Sequence, residues 1–260
     1  MKITIIGGGN MGGAIAAGLA SGKIFNPQDI TVIDRNQRNI DTIKTYNKGI
    51  NAVINDYSSL SETDIIVLAV KPWYIQEVLE KHRKVFNPYQ IIISIASGIS
   101  LNQLSEWILN DSAIYRVMPN TAIAIKESMS FVASHDTNKE NDELILKIFS
   151  ELGKVEFIDE KLFAAATSLA SCGIAFAFRY IRAAMEGGIE MGLRADQSKE
   201  AVIQTLRGAA NLLEANNSHP EVEIDKVTTP GGVTIKGLNE MENAGFTSAV
   251  IKGLKASYVK

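Results

Sequence analysis

The stretch Lys2-Ile3-Thr4-Ile5-Ile6-Gly7-Gly8-Gly9-Asn10-Met11-Gly12-Gly13-Ala14-Ile15-Ala16-Ala17-Gly18-Leu19 decides the fold. It reads as a short apolar strand, a glycine turn and a helix of small residues. A G-x-G-x-x-G spacing falls on Gly7, Gly9 and Gly12, with the strand before it and the helix after it that a dinucleotide site requires. Gly7 suits the tight turn, Gly9 the approach of a pyrophosphate, and Gly12 the close packing of helix on strand. With Asn10 and Met11 between them, these glycines form the first group of candidate cofactor-binding residues.

Downstream, apolar runs alternate with helical patterns as far as about Asp159, the signature of a mostly parallel sheet covered on both faces. The runs predict strands over Ile3–Ile6, Ile30–Asp34, Ile65–Val70, Ile91–Ile95 and Ala113–Val117. Two more, Ser130–Ser134 and Lys154–Ile158, frame a helix over Glu140–Leu152. The second strand ends in Asp34, Arg35 and Asn36. An acid there accepts from the ribose hydroxyls of NAD, whereas an arginine holds the extra phosphate of NADP, so this strand end leaves the cofactor open. A solvated charge pair is the plainer reading. Ala69, Val70, Lys71 and Pro72 end the next strand, where ligands collect in open α/β sheets, although Pro72 also suits the first residue of a helix. Asn120 follows a further strand, placed either to orient a nicotinamide or substrate or to cap a turn.

After Glu160 the β pattern disappears. The chain reads as helices, beginning with an almost wholly apolar one around Leu162–Met185. A helix apolar on every side has to be covered on every side, and about 100 residues can hardly do so alone. The expected fold is therefore α/β: a Rossmann-type dinucleotide-binding domain over residues 1–159 and an all-α dimerisation and substrate domain over 160–260.

Composition fits a soluble enzyme of 260 residues. A net charge of −3 and the lack of a basic run argue against a nucleic-acid partner. One cysteine, Cys172, permits no internal disulfide, which points to the cytoplasm. No signal-peptide pattern opens the sequence, and the uncharged stretch from Leu162 to Phe178 is short for a bilayer span, so no membrane partner is expected. His82, His135 and His219 share no ligand spacing, and no metal is expected.

The segment Val227-Thr228-Thr229-Pro230-Gly231-Gly232-Val233-Thr234 combines hydroxyls, bare backbone and a fixed proline ahead of a helical run. Such a turn presents helix N-terminal amides to a carboxylate or phosphate. Taken in order, GxGxxG, AVKP, SIASG, RVMPNT and VTTPGGVTIKGL resemble the pyrroline-5-carboxylate reductases over essentially the whole chain. The last is similar to that family's signature, usually VTSPGGTTIAGL. The resemblance implies hydride transfer from NADP(H), with NAD(H) also possible, to the cyclic imine 1-pyrroline-5-carboxylate, giving L-proline. It implies a homodimer, often assembled into decamers. It assigns Thr229, Gly231 and Gly232 to the substrate carboxylate, and to Thr234 a hydrogen bond or relayed proton to the ring nitrogen. The chain departs from the pattern at Ser171-Cys172-Gly173-Ile174-Ala175-Phe176, where GSGPAY is usual, at Ala122 in place of a proline, and at Asp34. A related imine or hydroxyacid reductase and a non-catalytic cofactor-binding relative stay open as alternatives. The hydroxyacid enzymes' GxxxKxxxN helix pattern is absent after Glu160.

Overall fold

The computed structural model describes residues 1–135 and 137–259, and the chain divides into two compact units, Met1–Ser171 and Cys172–Lys260. The first is built on one sheet of eight strands: β1 (Ile3–Ile6), β2 (Ile30–Asp34), β3 (Asn51–Ile54), β4 (Ile65–Leu68), β5 (Ile91–Ser94), β6 (Ala113–Met118), β7 (Ser128–His135) and β8 (Gly153–Phe157). Their spatial order is β3-β2-β1-β4-β5-β6-β7-β8. All neighbours run parallel except β6 and β7, because the segment from Pro119 to Glu127 is too short for a parallel crossover. Five helices join the strands: α1 (Asn10–Ala20), α2 (Gln37–Tyr46), α3 (Pro72–His82), α4 (Leu101–Ile108) and α5 (Lys139–Ser150).

Strands β1, β4 and β5 are buried at every position, as a sheet with helices on both faces requires. Alternation along the strands sorts their side chains into two cores. Ile5, Val32, Val67, Ile93 and Tyr115 pack with Ile15 of α1 and Phe149 of α5 on one face. Ile6, Ile33, Leu68, Ile92 and Met118 pack with Ile75 of α3 and Leu104 of α4 on the other. Each fully buried Ile or Leu contributes about 1.5–3 kcal/mol. The expected strands all form, with ends shifted by a residue or two; Ala69 and Val70 lie beyond the end of β4.

The long apolar helix is not uniform. A 3-10 turn at Glu160–Leu162 leads into α6 (Phe163–Ala166), then a π-helical turn over Thr167–Cys172, then α7 (Gly173–Glu190). The hydroxyls of Thr167 and Ser168 donate to the carbonyls of Phe163 and Ala164, at 2.7 and 3.1 Å, and so compete with the helical ladder where it widens. The beginning of this run belongs to the sheet unit. Glu160 Oε1 accepts from Arg116 of β6 at 2.5 Å and from the Leu101 amide at the start of α4 at 2.8 Å. The Arg116 guanidinium also lies 4.6 Å over the Phe163 ring.

The second unit contains α7, α8 (Ala195–Asn216), α9 (Pro220–Val227), α10 (Val233–Asn243) and α11 (Phe246–Ala256). Helices α7 and α8 approach closely at Gly188, where a β-carbon would lie 2.7 Å from Ser198 Oγ. Beyond that crossing the unit leaves much apolar surface bare, including Phe176, Phe178, Val250 and Ile251.

Glu160→Ala strands the Arg116 charge, whose side chain is 11% exposed, and leaves the Leu101 amide without its acceptor. The expected loss is about 2 kcal/mol by urea unfolding, less than the roughly 3–5 kcal/mol of a broken fully buried pair because Glu160 itself is partly solvated. An unchanged midpoint would show that the pair does not anchor this segment.

Candidate active site

The three motif glycines have three different causes. Gly7 sits at φ +107°, and a β-carbon there would lie 2.7 Å from the carbonyl of Ala69 and 2.8 Å from the Val70 nitrogen. At Gly12 a β-carbon would fall 1.9 Å from the Gly7 oxygen. These two let α1 close onto β1 and the end of β4. Gly9 has nothing within 4 Å of its would-be β-carbon. It is the N-cap of α1, makes no side-chain cap, and no acidic residue occupies the first turn. The opening amides of α1, around Asn10 and Met11, thus face open space with the positive end of the helix behind them, a fit for a pyrophosphate.

Asp34 closes the turn from the side. Its Oδ2 accepts from the Gly8 amide at 2.6 Å and from Asn39 Nδ2 at 3.0 Å, and its Oδ1 from the Asn36 amide at 2.7 Å. Asn36 in turn caps α2, its side chain accepting from the Arg38 amide. Arg35 turns away from this network onto Tyr74. Its Cζ lies 4.6 Å from the ring centroid, and Nη2 donates to the phenol oxygen at 3.3 Å. That hydrogen bond holds the Tyr74 phenol below its ordinary pKa. Nearby, Tyr57 and His82 stack with centroids 3.9 Å apart. Burial, with Asp34 adding to it, raises the Tyr57 pKa, and burial lowers that of His82.

Along the same edge of the sheet, Ala69 and Val70 follow β4 against the glycine turn, and Lys71 is the exposed N-cap of α3 with Pro72 at its first position. Asn120 follows β6. Its Oδ1 caps the short 3-10 turn over Thr121–Ile125 by accepting from the Ala122 amide at 3.0 Å, and its Nδ2 donates to the Ala170 carbonyl in the π turn at 3.4 Å. Gly7, Gly9, Asn10, Met11, Gly12, Asp34, Arg35, Ala69, Val70, Lys71, Pro72 and Asn120 all fall in the sheet unit, the greater part of them where β1, β2 and β4 end side by side. Sequence reasoning missed Tyr74 and Asn39, and neither carries a motif signal.

The second candidate group belongs to the helical unit. After α9 the chain makes a type II turn, with Pro230 at its second position, Gly231 at φ +72° and the Gly232 amide donating to the Thr229 carbonyl at 2.9 Å. A β-carbon at Gly232 would meet Thr229 Oγ1 at 2.6 Å. Gly232 is the N-cap of α10, again without a side-chain cap or an acid in the first turn. Thr229, Gly231 and Thr234 are exposed around this bare helix start. The turn is held from α9 by Thr228, whose hydroxyl donates to the Ile224 and Asp225 carbonyls at 3.2 Å. Glu223 ties α9 to the preceding loop. Its Oε1 accepts from Lys226 at 2.7 Å, Ser218 at 2.5 Å and Asn216 at 3.1 Å, and these bonds, Lys226 first, bring its pKa down to about 2.

Residues 160–260 match the family model described as pyrroline-5-carboxylate reductase dimerisation, and residues 2–98 match that of NADP oxidoreductase, coenzyme F420-dependent. The chain is 40% identical to pyrroline-5-carboxylate reductase 1 of Dictyostelium discoideum, over 98% of its own length and 48% of that protein's, so it spans about half of that relative. It is 36% identical to pyrroline-5-carboxylate reductase 2 of the same organism, over 100% of its length and 91% of the relative's. Among solved structures, that of the Plasmodium falciparum pyrroline carboxylate reductase with NADP bound superposes with a TM-score of 0.89 at 27% identity, covering 99% of this chain and 95% of that one.

Two substitutions separate the roles of the glycines. Gly9→Val leaves the melting temperature within a few degrees, because its side chain enters open space, and abolishes NADP(H) binding by calorimetry. Gly12→Ala lowers the melting temperature, because its β-carbon meets the Gly7 carbonyl. The reverse pattern would refute this assignment. Glu223 gives a pH signature. With its folded pKa depressed, its contribution is present above the ordinary value of 4.5 and lost as pH falls toward about 2. The stability gap between wild type and Glu223→Gln should therefore narrow over that range in urea titrations; a gap independent of pH would contradict the network.

Proposed function

Because the chain belongs to the pyrroline-5-carboxylate reductase family, we propose that it reduces 1-pyrroline-5-carboxylate to L-proline, with NADPH as the favoured reductant and NADH as a possible one. The observation that carries this reading is the pairing, in one chain, of two uncapped helix starts of different design. One follows a dinucleotide glycine turn, and the other a type II turn flanked by threonine hydroxyls. The bound reduced nicotinamide supplies the hydride.

What falls to the protein is to grip, orient and protonate. A cyclic imine protonated on nitrogen is already a good hydride acceptor, so no nucleophile or metal is needed and positioning dominates. The Gly231 and Gly232 backbone and the Thr229 hydroxyl take the substrate carboxylate at the positive end of α10. Before protonation, Thr234, in the first turn of that helix, donates a hydrogen bond to the lone pair of the neutral imine nitrogen. A threonine hydroxyl is a poor acid alone, so the proton is relayed through it from water. In the sheet unit, Gly7, Gly9, Asn10, Met11 and Gly12 would take the pyrophosphate, Arg35 would meet the adenosine end with Asp34 fixing the turn beside it, and Ala69, Val70, Lys71, Pro72 and Asn120 would border the cofactor toward the nicotinamide.

On this reading residues 1–159 form the dinucleotide-binding domain and 160–260 the dimerisation and substrate domain. A second copy covers the apolar flank of α7, where Phe178 is 61% exposed. In the pattern the family resemblance implies, such dimers are often assembled into decamers, and the enzyme works in the cytoplasm without a nucleic-acid or membrane partner.

The test is loss of reduced-nicotinamide absorbance on adding 1-pyrroline-5-carboxylate, with NADPH and NADH in parallel and proline detected as product. Substrate-dependent oxidation with proline formed is expected; a folded protein that binds cofactor without turnover would overturn the reading. Thr234→Ala should lower kcat by about tenfold to a hundredfold while leaving the NADPH dissociation constant within twofold. Equal turnover in the variant would remove Thr234 from the mechanism.

A further inference from the structure

The end of β2 carries two charges of opposite sign that the sequence leaves undecided, and their surroundings differ. The Asp34 carboxylate is turned inward and accepts three hydrogen bonds, from Gly8, Asn36 and Asn39. A carboxylate offers about four acceptor positions, so little of it remains for a ribose hydroxyl. Its work in the chain is to tie the glycine turn to the start of α2. Arg35 is turned outward, is exposed, and spends one N–H on Tyr74. The other N–H groups of its fork have no partner among the described residues.

Tyr74 is well placed to hold that guanidinium. It stands in the first turn of α3, its amide donating to the Lys71 carbonyl at 2.9 Å, and Pro72 fixes the helix start beneath it. The guanidinium lies over the ring, 4.6 Å from Cζ to centroid. A free arginine must surrender rotamer freedom to bind an anion, whereas a stacked one has already done so.

We propose that Tyr74 is a specificity-determining positioning residue: by stacking Arg35 beyond the end of β2 it builds the seat for the 2′-phosphate of NADP(H). The proposal rests on the dinucleotide reading of the glycine turn and adds to it the element that separates the two cofactors. Asp34 and Glu77 lie near enough to bias Arg35 electrostatically, so the seat is a balance of charges that a misplaced guanidinium would tip toward NADH.

The test is calorimetric titration of the full chain with NADPH and, separately, NADH. Arg35→Ala is expected to weaken NADPH about thirtyfold, Tyr74→Leu about tenfold, and Tyr74→Phe, which keeps the ring, about twofold to threefold. NADH affinity should stay within twofold throughout. An equal loss for both cofactors in Tyr74→Leu would make Tyr74 an adenine contact and overturn the proposal, as would unchanged NADPH binding. If Tyr74→Leu does not fold, Tyr74→Phe, which removes only the hydroxyl that accepts from Arg35, decides by the cofactor split: a loss for NADPH alone supports the proposal, and an equal loss for both cofactors or no loss overturns it. A wild-type protein binding neither nucleotide would overturn the dinucleotide reading itself, and the proposal with it.

Discussion

The space between Gly7, Gly12 and the Ala69–Val70 peptide admits no β-carbon, and the sheet unit is arranged around that fact. It lets α1 lie against the end of β1 and brings the β4 carbonyl edge against the glycine turn. The sheet order reverses at this same place. From β1 the chain steps outward to β2 and β3, then crosses back to continue from β4 on the other flank. A crevice at such a reversal is where open α/β sheets bind ligands. This close packing therefore sets how α1 lies against β1 and the end of β4, and Asp34 holds the Gly8 amide of the same turn from the side.

The two units solve their burial problems differently. The sheet unit has helices on both faces and two apolar cores, and Glu160 and Phe163 carry its packing into the run that leads to α7. The helical unit buries little of its own apolar surface. Its bare residues suit a partner of the same kind, consistent with the dimerisation family model that matches it. The turn before α10 depends on local devices instead: the hydroxyl of Thr228, the Glu223 network and the left-handed conformation of Gly231.

Much of this was legible in the sequence because it rests on residues with one physical use. Gly7 and Gly231 adopt positive φ, Pro72 opens a helix, and uninterrupted isoleucines make buried strands. What was not legible depends on partners distant in the chain. Strand β3 escaped notice because Asn51–Ile54 is short and half exposed, so it carries neither alternation nor a continuous apolar run. The break in the long helix depends on Thr167 and Ser168 turning back to the Phe163 and Ala164 carbonyls one turn earlier, one of several options for a hydroxyl. The different surroundings of Asp34 and Arg35 were not legible, since their partners Gly8, Asn39 and Tyr74 come together only on folding.

The central claim is that the chain delivers a hydride to the carbon of a C=N bond. The most direct measurement supplies reduced nicotinamide deuterated at the transferring carbon, with 1-pyrroline-5-carboxylate, and locates the label in the product by NMR. The account predicts one deuteron on the ring carbon of proline that bore the double bond to nitrogen, and none when the label is in the solvent instead. Proline without that deuteron, or label elsewhere in the ring, would contradict it.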